Sequence, residues 1–153
     1  MDFEEVRKYV ENEKSKSGLK SKSMPEDFLD LTTMQGLRIQ KIERGRILCS
    51  IIVPQRLTGE KGELHAGAAA ALVDLIGTTV VFTTGVPTGV SVEINISYTG
   101  TAYVGDEVEI ECKILRLGKA IAVIGVELRN CNNGELIAIG RHTKYIQNIR
   151  SKI

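Results

Sequence analysis

The stretch Leu64-His-Ala-Gly-Ala-Ala-Ala-Ala-Leu-Val-Asp-Leu-Ile-Gly-Thr-Thr-Val-Val-Phe82 decides the fold of this chain. Alanine, the residue with the highest helix propensity, dominates its first half. The pattern predicts a long helix over residues 66–83. This helix is apolar nearly all round, which indicates burial on most sides. A β-sheet wrapped about one helix would provide that environment.

The one ionised side chain of this segment is Asp74. Residues 62–112 contain no Lys or Arg, and the only carboxylates between positions 63 and 106 are Asp74 and Glu93. A buried carboxylate is costly unless it is paired, hydrogen-bonded or neutralised. We therefore interpret Asp74 as a candidate nucleophile or as a base that activates water. The alternative is a structural carboxylate that a nearby hydroxyl or backbone N–H satisfies.

The rest of the sequence predicts two helices before this segment and antiparallel strands around it. The helices are predicted over 2–14 and 26–34, with a loop over 14–23 between them. Residues 89–98 alternate in polarity, which places Ser91 on a polar side together with Glu93 and Asn95. Because strands follow one another as a hairpin and then a meander, the class is α+β with an antiparallel sheet. The predicted strands are 37–42, 46–53, 89–98, 107–117, 120–130 and 135–147.

Composition excludes several function classes. The chain has 153 residues with a net charge of +1, so it carries no electrostatic footprint for nucleic acid. Cys49, Cys112 and Cys131 form no CxxC pair, which favours a reducing compartment and argues against a zinc site. The apolar run 66–82 is too short and too polar at its centre for a membrane span. The charged N-terminus does not resemble a secretory signal.

Two further regions could carry chemistry. The segment from Gly62 to Gly67 leads into the long helix, whose first N–H groups have no internal partners and favour a partial negative charge. His65 there is either a capping or packing group or a catalytic one. The predicted last strand carries Arg141, His142 and Lys144. Those three either form a solvated strand or contact the phosphates of a cofactor tail.

Three motifs resemble the hotdog-fold acyl-CoA thioesterases, in the branch related to bacterial phenylacetate-pathway thioesterases. They are Leu64-His-Ala-Gly67 with Asp74, Gly89-Val-Ser-Val-Glu-Ile-Asn-Ile-Ser-Tyr98, and Gly140-Arg-His-Thr-Lys-Tyr145. The resemblance implies a thioesterase domain over 35–147, and the residue patterns predict a helical extension over 1–34 before it and a tail over 148–153 after it. It implies a long central helix wrapped by a curved sheet. It also implies a homodimer with its active site at the subunit interface, and a dimer of dimers.

The resemblance also implies roles for individual residues. Asp74 matches the catalytic Asp of the family, and Ser91 matches the Ser that orients the hydrolytic water. The backbone N–H of Ala66 would hold the thioester carbonyl oxygen, within a motif whose His and second Gly are His65 and Gly67. The end-of-strand segment near the CoA phosphates is matched by Arg141, His142 and Lys144. The implied substrate is acyl-CoA, with no metal and no cofactor, since CoA is part of the substrate.

This sequence departs from the family pattern at two positions. Ala66 replaces the first Gly of the family's His-Gly-Gly motif. The family also has an Asn a few residues before that His, where this chain has Gly59. Loss of one such donor costs about 10²–10³ in rate. The departure therefore predicts slow turnover or another substrate.

Other interpretations remain open from the sequence. One is a non-catalytic acyl-CoA binding protein, and another is an enoyl-thioester hydratase or dehydratase, which would need a His paired with a carboxylate. The segment Ser151-Lys-Ile153 resembles the Ser-Lys-Leu peroxisomal signal, so peroxisome and cytosol are both expected locations.

Overall fold

The computed structural model describes residues 28–87 and 89–146. Within them, the long helix and the predicted strands are confirmed to within two residues at each end. The predicted helix 2–14, the loop 14–23 and the segment Ser151–Ile153 lie outside the described residues and stay predictions. The elements are α1 (Phe28–Met34), β1 (Arg38–Glu43), β2 (Arg46–Ile52), a 3₁₀ helix (Gln55–Leu57), α2 (Ala66–Phe82), β3 (Val90–Tyr98), β4 (Glu107–Leu117), β5 (Ile121–Asn130) and β6 (Leu136–Tyr145).

The six strands form one antiparallel sheet in the order β1-β2-β4-β5-β6-β3. The predicted meander is confirmed for β4-β5-β6. It is wrong for β3, which pairs with β6 instead of β4. Residues 99–106 connect the end of β3 to the start of β4 across the sheet. Backbone hydrogen bonds in this connection join Ala102 to Leu64 and Asp106 to Val53. Strand β3 is thereby left at an edge of the sheet.

Helix α2 packs on the inner face of the sheet through one side of the helix. The buried residues of this side are Ala69, Leu72, Val73, Ile76, Gly77, Val80 and Val81. The predicted burial on most sides is met only in part by the single chain, in which residues 68–81 are buried or half-buried and the sheet covers one side of the helix. A helix that is apolar all round but half covered leaves a surface that needs a further partner.

Two glycines bring α2 close to β6. A Cβ atom at Gly77 would lie 2.8 Å from His142 Nδ1, and one at Gly140 would lie 2.8 Å from Val73 Cγ1. Real Cβ contacts are longer, so any side chain at either position would push the helix and strand apart. The close approach sets how near α2 side chains come to those of β6.

An irregularity at Val92 changes which face of β3 carries Ser91. Ser91 pairs with Lys144 and Glu93 with Thr143, so Val92 is an extra residue in β3. Residues directly opposite on antiparallel strands share a face, and a bulge shifts the alternation by one. Ser91 therefore lies on the inner face, and the prediction that it shares a polar face with Glu93 and Asn95 is wrong.

No helix among the described residues is long and apolar enough to cross a membrane.

Candidate functional site

The bulge in β3 brings Ser91 to Asp74, which lies halfway along α2. The Ser91 hydroxyl donates to Asp74 Oδ1 at 3.5 Å and lies 2.8 Å from His142 Nε2. His142 Nε2 itself is 3.6 Å from Asp74 Oδ1. The Asp74 side chain is 44% exposed, so the predicted enclosure by hydrocarbon is not found in a single chain. One side of the Asp74 carboxylate therefore faces Ser91 and His142, and the other side faces solvent.

His142 is the most deeply buried residue of this cluster. Its side chain is fully buried, and Nδ1 has no hydrogen-bond partner among the described residues. Burial lowers the pKa of His142, and the positive charge of Lys144 lowers it further, against an opposing effect of Asp74. The imidazole is therefore neutral near pH 7. An orphaned buried N–H is rarer than an orphaned acceptor, so we place its proton on Nε2, where it donates to Ser91.

Lys144 lies on the same inner face, two residues further along β6. Its side chain is buried, and Nζ donates to Thr78 Oγ1 at 3.1 Å and to Ser91 Oγ at 3.5 Å. Burial lowers the pKa of Lys144, while the nearby Asp74 carboxylate opposes that shift. Thr78 follows Asp74 by one turn of α2, so both helix side chains face the same cluster.

The structure does not bring the three predicted phosphate contacts together. Arg141 is exposed on the outer face of the sheet, opposite Asn95 and Gly125. His142 and Lys144 point inward, because alternate residues of a strand face opposite sides. We correct the grouping accordingly. Both inner side chains belong to the Asp74 cluster, and Arg141 alone of the three faces solvent.

A second cluster lies at the start of α2. His65 is the N-cap, and its Nδ1 accepts from the N–H of Gly67 at 3.0 Å. The N–H of Ala66 has no acceptor among the residues described, and Ala66 is exposed. The Tyr98 hydroxyl donates to the carbonyl oxygen of Ala66 at 2.9 Å and fixes this first turn. The helix start therefore presents the free, oriented N–H of Ala66 to a partial negative charge.

The Glu63 carboxylate fills the space beside Gly59, the position at which the family has its Asn. A Cβ atom at Gly59 would lie 2.6 Å from Glu63 Oε1. The Glu63 carboxylate is held there because its Oε2 accepts from the N–H of Lys61 at 3.0 Å. The loop before His65 therefore closes on itself and offers no amide side chain where the family has its Asn.

The two clusters are too far apart to act on one bond within one chain. Ala66 and Asp74 are separated by eight residues of helix, which at the rise per residue corresponds to about 12 Å. The carbonyl carbon and oxygen of a thioester are about one bond length apart. Asp74 and the Ala66 N–H therefore belong to two separate clusters within one chain, and we call each cluster a half-site.

Thr78 and Tyr98 were not recognised from the sequence as site residues. A signal for Thr78 existed, since it follows Asp74 at the helical spacing of four. Tyr98 reaches Ala66 only because β3 runs antiparallel to α2 across the sheet edge, which no local pattern shows.

Comparison with known proteins assigns the chain to a family. The thioesterase superfamily model matches residues 61–137. The acyl-coenzyme A thioesterase 13 of Mus musculus is 43% identical over 105 residues, which cover 67% of this chain and 74% of that protein. Thioesterase superfamily member 2 from zebrafish superposes with a TM-score of 0.72 at 29% identity, over 92% of this chain and 97% of that one. The Mus musculus structure of the same name gives 0.70 at 33% identity, over 82% and 98%. The sequence, the fold and the match together show that this chain belongs to the thioesterase superfamily.

Proposed function

We propose that the chain hydrolyses acyl-CoA thioesters to a free carboxylic acid and CoA. The observation that carries the proposal is the half-exposed Asp74 carboxylate, to which the Ser91 hydroxyl donates a hydrogen bond at 3.5 Å. The family match and the acyl-CoA thioesterase relative support the reaction class. Thioester hydrolysis involves no electron transfer, and the proposed reaction uses no cofactor.

In the proposed reaction, Asp74 takes a proton from water while the water oxygen attacks the thioester carbonyl carbon. The resulting oxyanion collapses, the carbon–sulfur bond breaks, and the CoA thiolate takes up the proton. Direct attack by the carboxylate is the other route open to Asp74, and water then hydrolyses the anhydride. General-base help supplies about 10²–10⁴-fold in rate. Ser91 holds Asp74 Oδ1, so Oδ2 is the oxygen that faces the water.

The oxyanion is assigned to the start of α2, where the Ala66 N–H is free. Because the two half-sites of one chain are about 12 Å apart along the helix, the second must come from another copy. We therefore propose a homodimer whose active site combines Asp74 of one protomer with the helix start of its partner.

Strand β3 is the proposed dimer contact. It is an edge strand with exposed apolar residues, including Val90 at 64% and Val92 at 61% exposure. Such an edge needs a cover. Antiparallel pairing of two copies about the middle of β3 places Ser91 of one protomer opposite the Tyr98 end of the other. Since Tyr98 binds Ala66, this pairing brings the two half-sites face to face.

A dimer of dimers is the proposed higher assembly. Leu115 and Ile139 are exposed on the outer face, at 62% and 42%, beside a cavity of about 380 Å³ that Arg141 also lines. The exposed apolar side chains support a second contact through this face. A charged substitution at Leu115 is expected to stop assembly at the dimer, as measured by light scattering, and to leave the activity in place. Arg141 stays the proposed contact for a CoA phosphate.

Subunit complementation tests the shared site. Asp74→Asn removes the base, and Ala66→Pro removes one N–H at a first helical position, where proline is well tolerated. Each variant alone is expected to be inactive. In a mixed dimer, one of the two sites has both intact halves, so random mixing restores about a quarter of wild-type activity in a two-fold dimer. No recovery on mixing would refute the shared site.

Free CoA is measured with a thiol reagent. Cys49 and Cys112 are buried, and burial raises the pKa of the Cys49 thiol to about 11. Of the three cysteines, Cys131 alone is exposed, so its signal is subtracted. Absence of CoA release from every acyl-CoA, with binding retained, would instead establish the non-catalytic binding protein.

The proximity of His142 and Asp74 favours a second candidate, an enoyl-thioester hydratase. A His and a carboxylate 3.6 Å apart are a plausible proton-transfer pair. Burial argues against it, because the imidazole is fully covered and its Nε2 is taken by Ser91. We expect no loss of enoyl absorbance with an enoyl-CoA, and such a loss would favour the hydratase.

A further inference from the structure

We propose that Lys144 is a positioning residue that fixes the direction of the Ser91 hydroxyl and, through it, the oxygen of Asp74 that faces water. The inference rests on the proposed thioesterase function and deepens it. The starting observation is that the Lys144 ammonium group is buried between the sheet and α2, where a phosphate group has no access to it.

The first step concerns how Lys144 is buried. The residue is 3% exposed, and it makes no ion pair within 4 Å among the described residues. Its two acceptors are Thr78 Oγ1 and Ser91 Oγ. A buried cation without a directly bonded anion is costly. A fold is expected to retain such an energetic cost where the buried ammonium group has a role in the functional site.

The second step counts the hydrogen bonds of Ser91. A hydroxyl has one proton to donate and two lone pairs that accept. One lone pair faces His142 Nε2 at 2.8 Å, and the other faces Lys144 Nζ at 3.5 Å. With the proton of His142 on Nε2, both lone pairs are occupied. Among the described residues, the Ser91 proton then has one acceptor left, Asp74 Oδ1, at 3.5 Å.

The third step links this proton to the reaction. A proton donated to Oδ1 holds one carboxylate oxygen, and Oδ2 accepts no hydrogen bond from the described residues. The free oxygen is the one that can take a proton from water. Without Lys144, Ser91 has an empty lone pair and its hydroxyl can rotate away from Asp74. The catalytic base would then lose its fixed orientation, although every group that touches substrate is still present.

The test compares Lys144→Met with Ser91→Ala and with the double variant, using the full chain. Loss of a hydrogen bond from a charged donor corresponds to a fall in kcat of about tenfold to a hundredfold. We expect that fall in Lys144→Met, with KM little changed, and no further fall when Lys144→Met is added to Ser91→Ala. Residues that act through one group are non-additive in this way. Lys144→Gln, which keeps a donor, is expected to retain more kcat.

A second substrate separates positioning from phosphate binding. An acyl-pantetheine carries the thioester without the nucleotide phosphates. Positioning predicts the same fall in kcat with acyl-CoA and acyl-pantetheine, whereas a phosphate contact predicts a rise in KM with acyl-CoA alone. Lys41→Met is the matched control, because Lys41 is exposed on β1 and pairs with Glu43 there. We expect it to behave as wild type.

The outcomes separate this inference from the proposed function. Wild-type kcat in Lys144→Met, a loss confined to acyl-CoA, or a multiplicative loss in the double variant would each overturn the role of Lys144. If Lys144→Met does not fold, the same comparison is made with Lys144→Ala, which also lacks a donor. Full turnover in Asp74→Asn would overturn the proposed function itself.

Discussion

The start and the middle of helix α2 carry the two proposed half-sites, and one consists of backbone groups whereas the other consists of side chains. At the start, the proposed chemistry belongs to the backbone, because the free N–H of Ala66 is the candidate donor and the His65 side chain caps the turn. In the middle it belongs to side chains, because Asp74 depends on Ser91 and on the buried groups beneath it.

This difference determines which substitutions each half tolerates. A backbone donor survives a change of side chain, which explains how Ala can stand where the resembling family has Gly. A side-chain cluster loses its geometry when any one of its members is replaced, because each hydrogen bond orients the next group. The following predictions test that contrast.

The largest effect is expected at Asp74. Asp74→Asn removes the base and is expected to lower kcat by about 10²–10⁴-fold, with the fold and the dimer retained by circular dichroism and light scattering. The matched control is Glu93→Gln, which changes the nearest other carboxylate of the segment, on the outer face of β3. A comparable loss in the control would show that the effect is not specific to the cluster.

The helix start should respond to the backbone and not to the side chain. Ala66→Pro removes the N–H and is expected to lower kcat by about 10²–10³-fold. Ala66→Gly keeps the N–H, so we expect turnover close to wild type. The contrast between the halves fails if both variants lose activity equally in a CoA-release assay.

Gly77 and Gly140 make a matched pair for the support beneath Asp74. Either glycine changed to Ala creates an overlap at 2.8 Å and is expected to cost about 1–3 kcal/mol of unfolding free energy by denaturant titration. Only Gly77→Ala presses on His142. We therefore expect a fall in kcat for Gly77→Ala beyond that of Gly140→Ala, and equal values would mean that the imidazole position does not matter.

The smallest effect concerns pH. Burial lowers the pKa of His142 in the folded state. The unfolded chain therefore binds a proton at a higher pH than the folded one, and stability increases with pH in that window. The contribution is complete above about pH 6.5, the unfolded value, and is lost as pH falls towards the folded pKa. Melting temperatures between pH 8 and 5 should fall less in His142→Gln than in wild type.

Much of the fold follows from local patterns. The apolar segment predicted α2 almost residue for residue, and the Gly-containing turns predicted the strands, since propensity and periodicity act over neighbouring positions. The same patterns indicated Asp74 and the helix start as candidates, because an isolated acid in an apolar helix is visible without a structure, whereas Ser91 was a candidate only through the family resemblance. The inward direction of Ser91 was not visible, because alternation across β3 gives the opposite face.

What the sequence alone determined was the set of elements, the fold class and the leading candidate for the catalytic residue. The tertiary structure decided which groups meet. It placed β3 beside β6, used a bulge at Val92 to turn Ser91 inward, and buried His142 and Lys144 beneath Asp74. The physical reason is that strand pairing and register depend on contacts between distant positions. A single extra residue in one strand reverses the face of its side chains, and no local pattern records it.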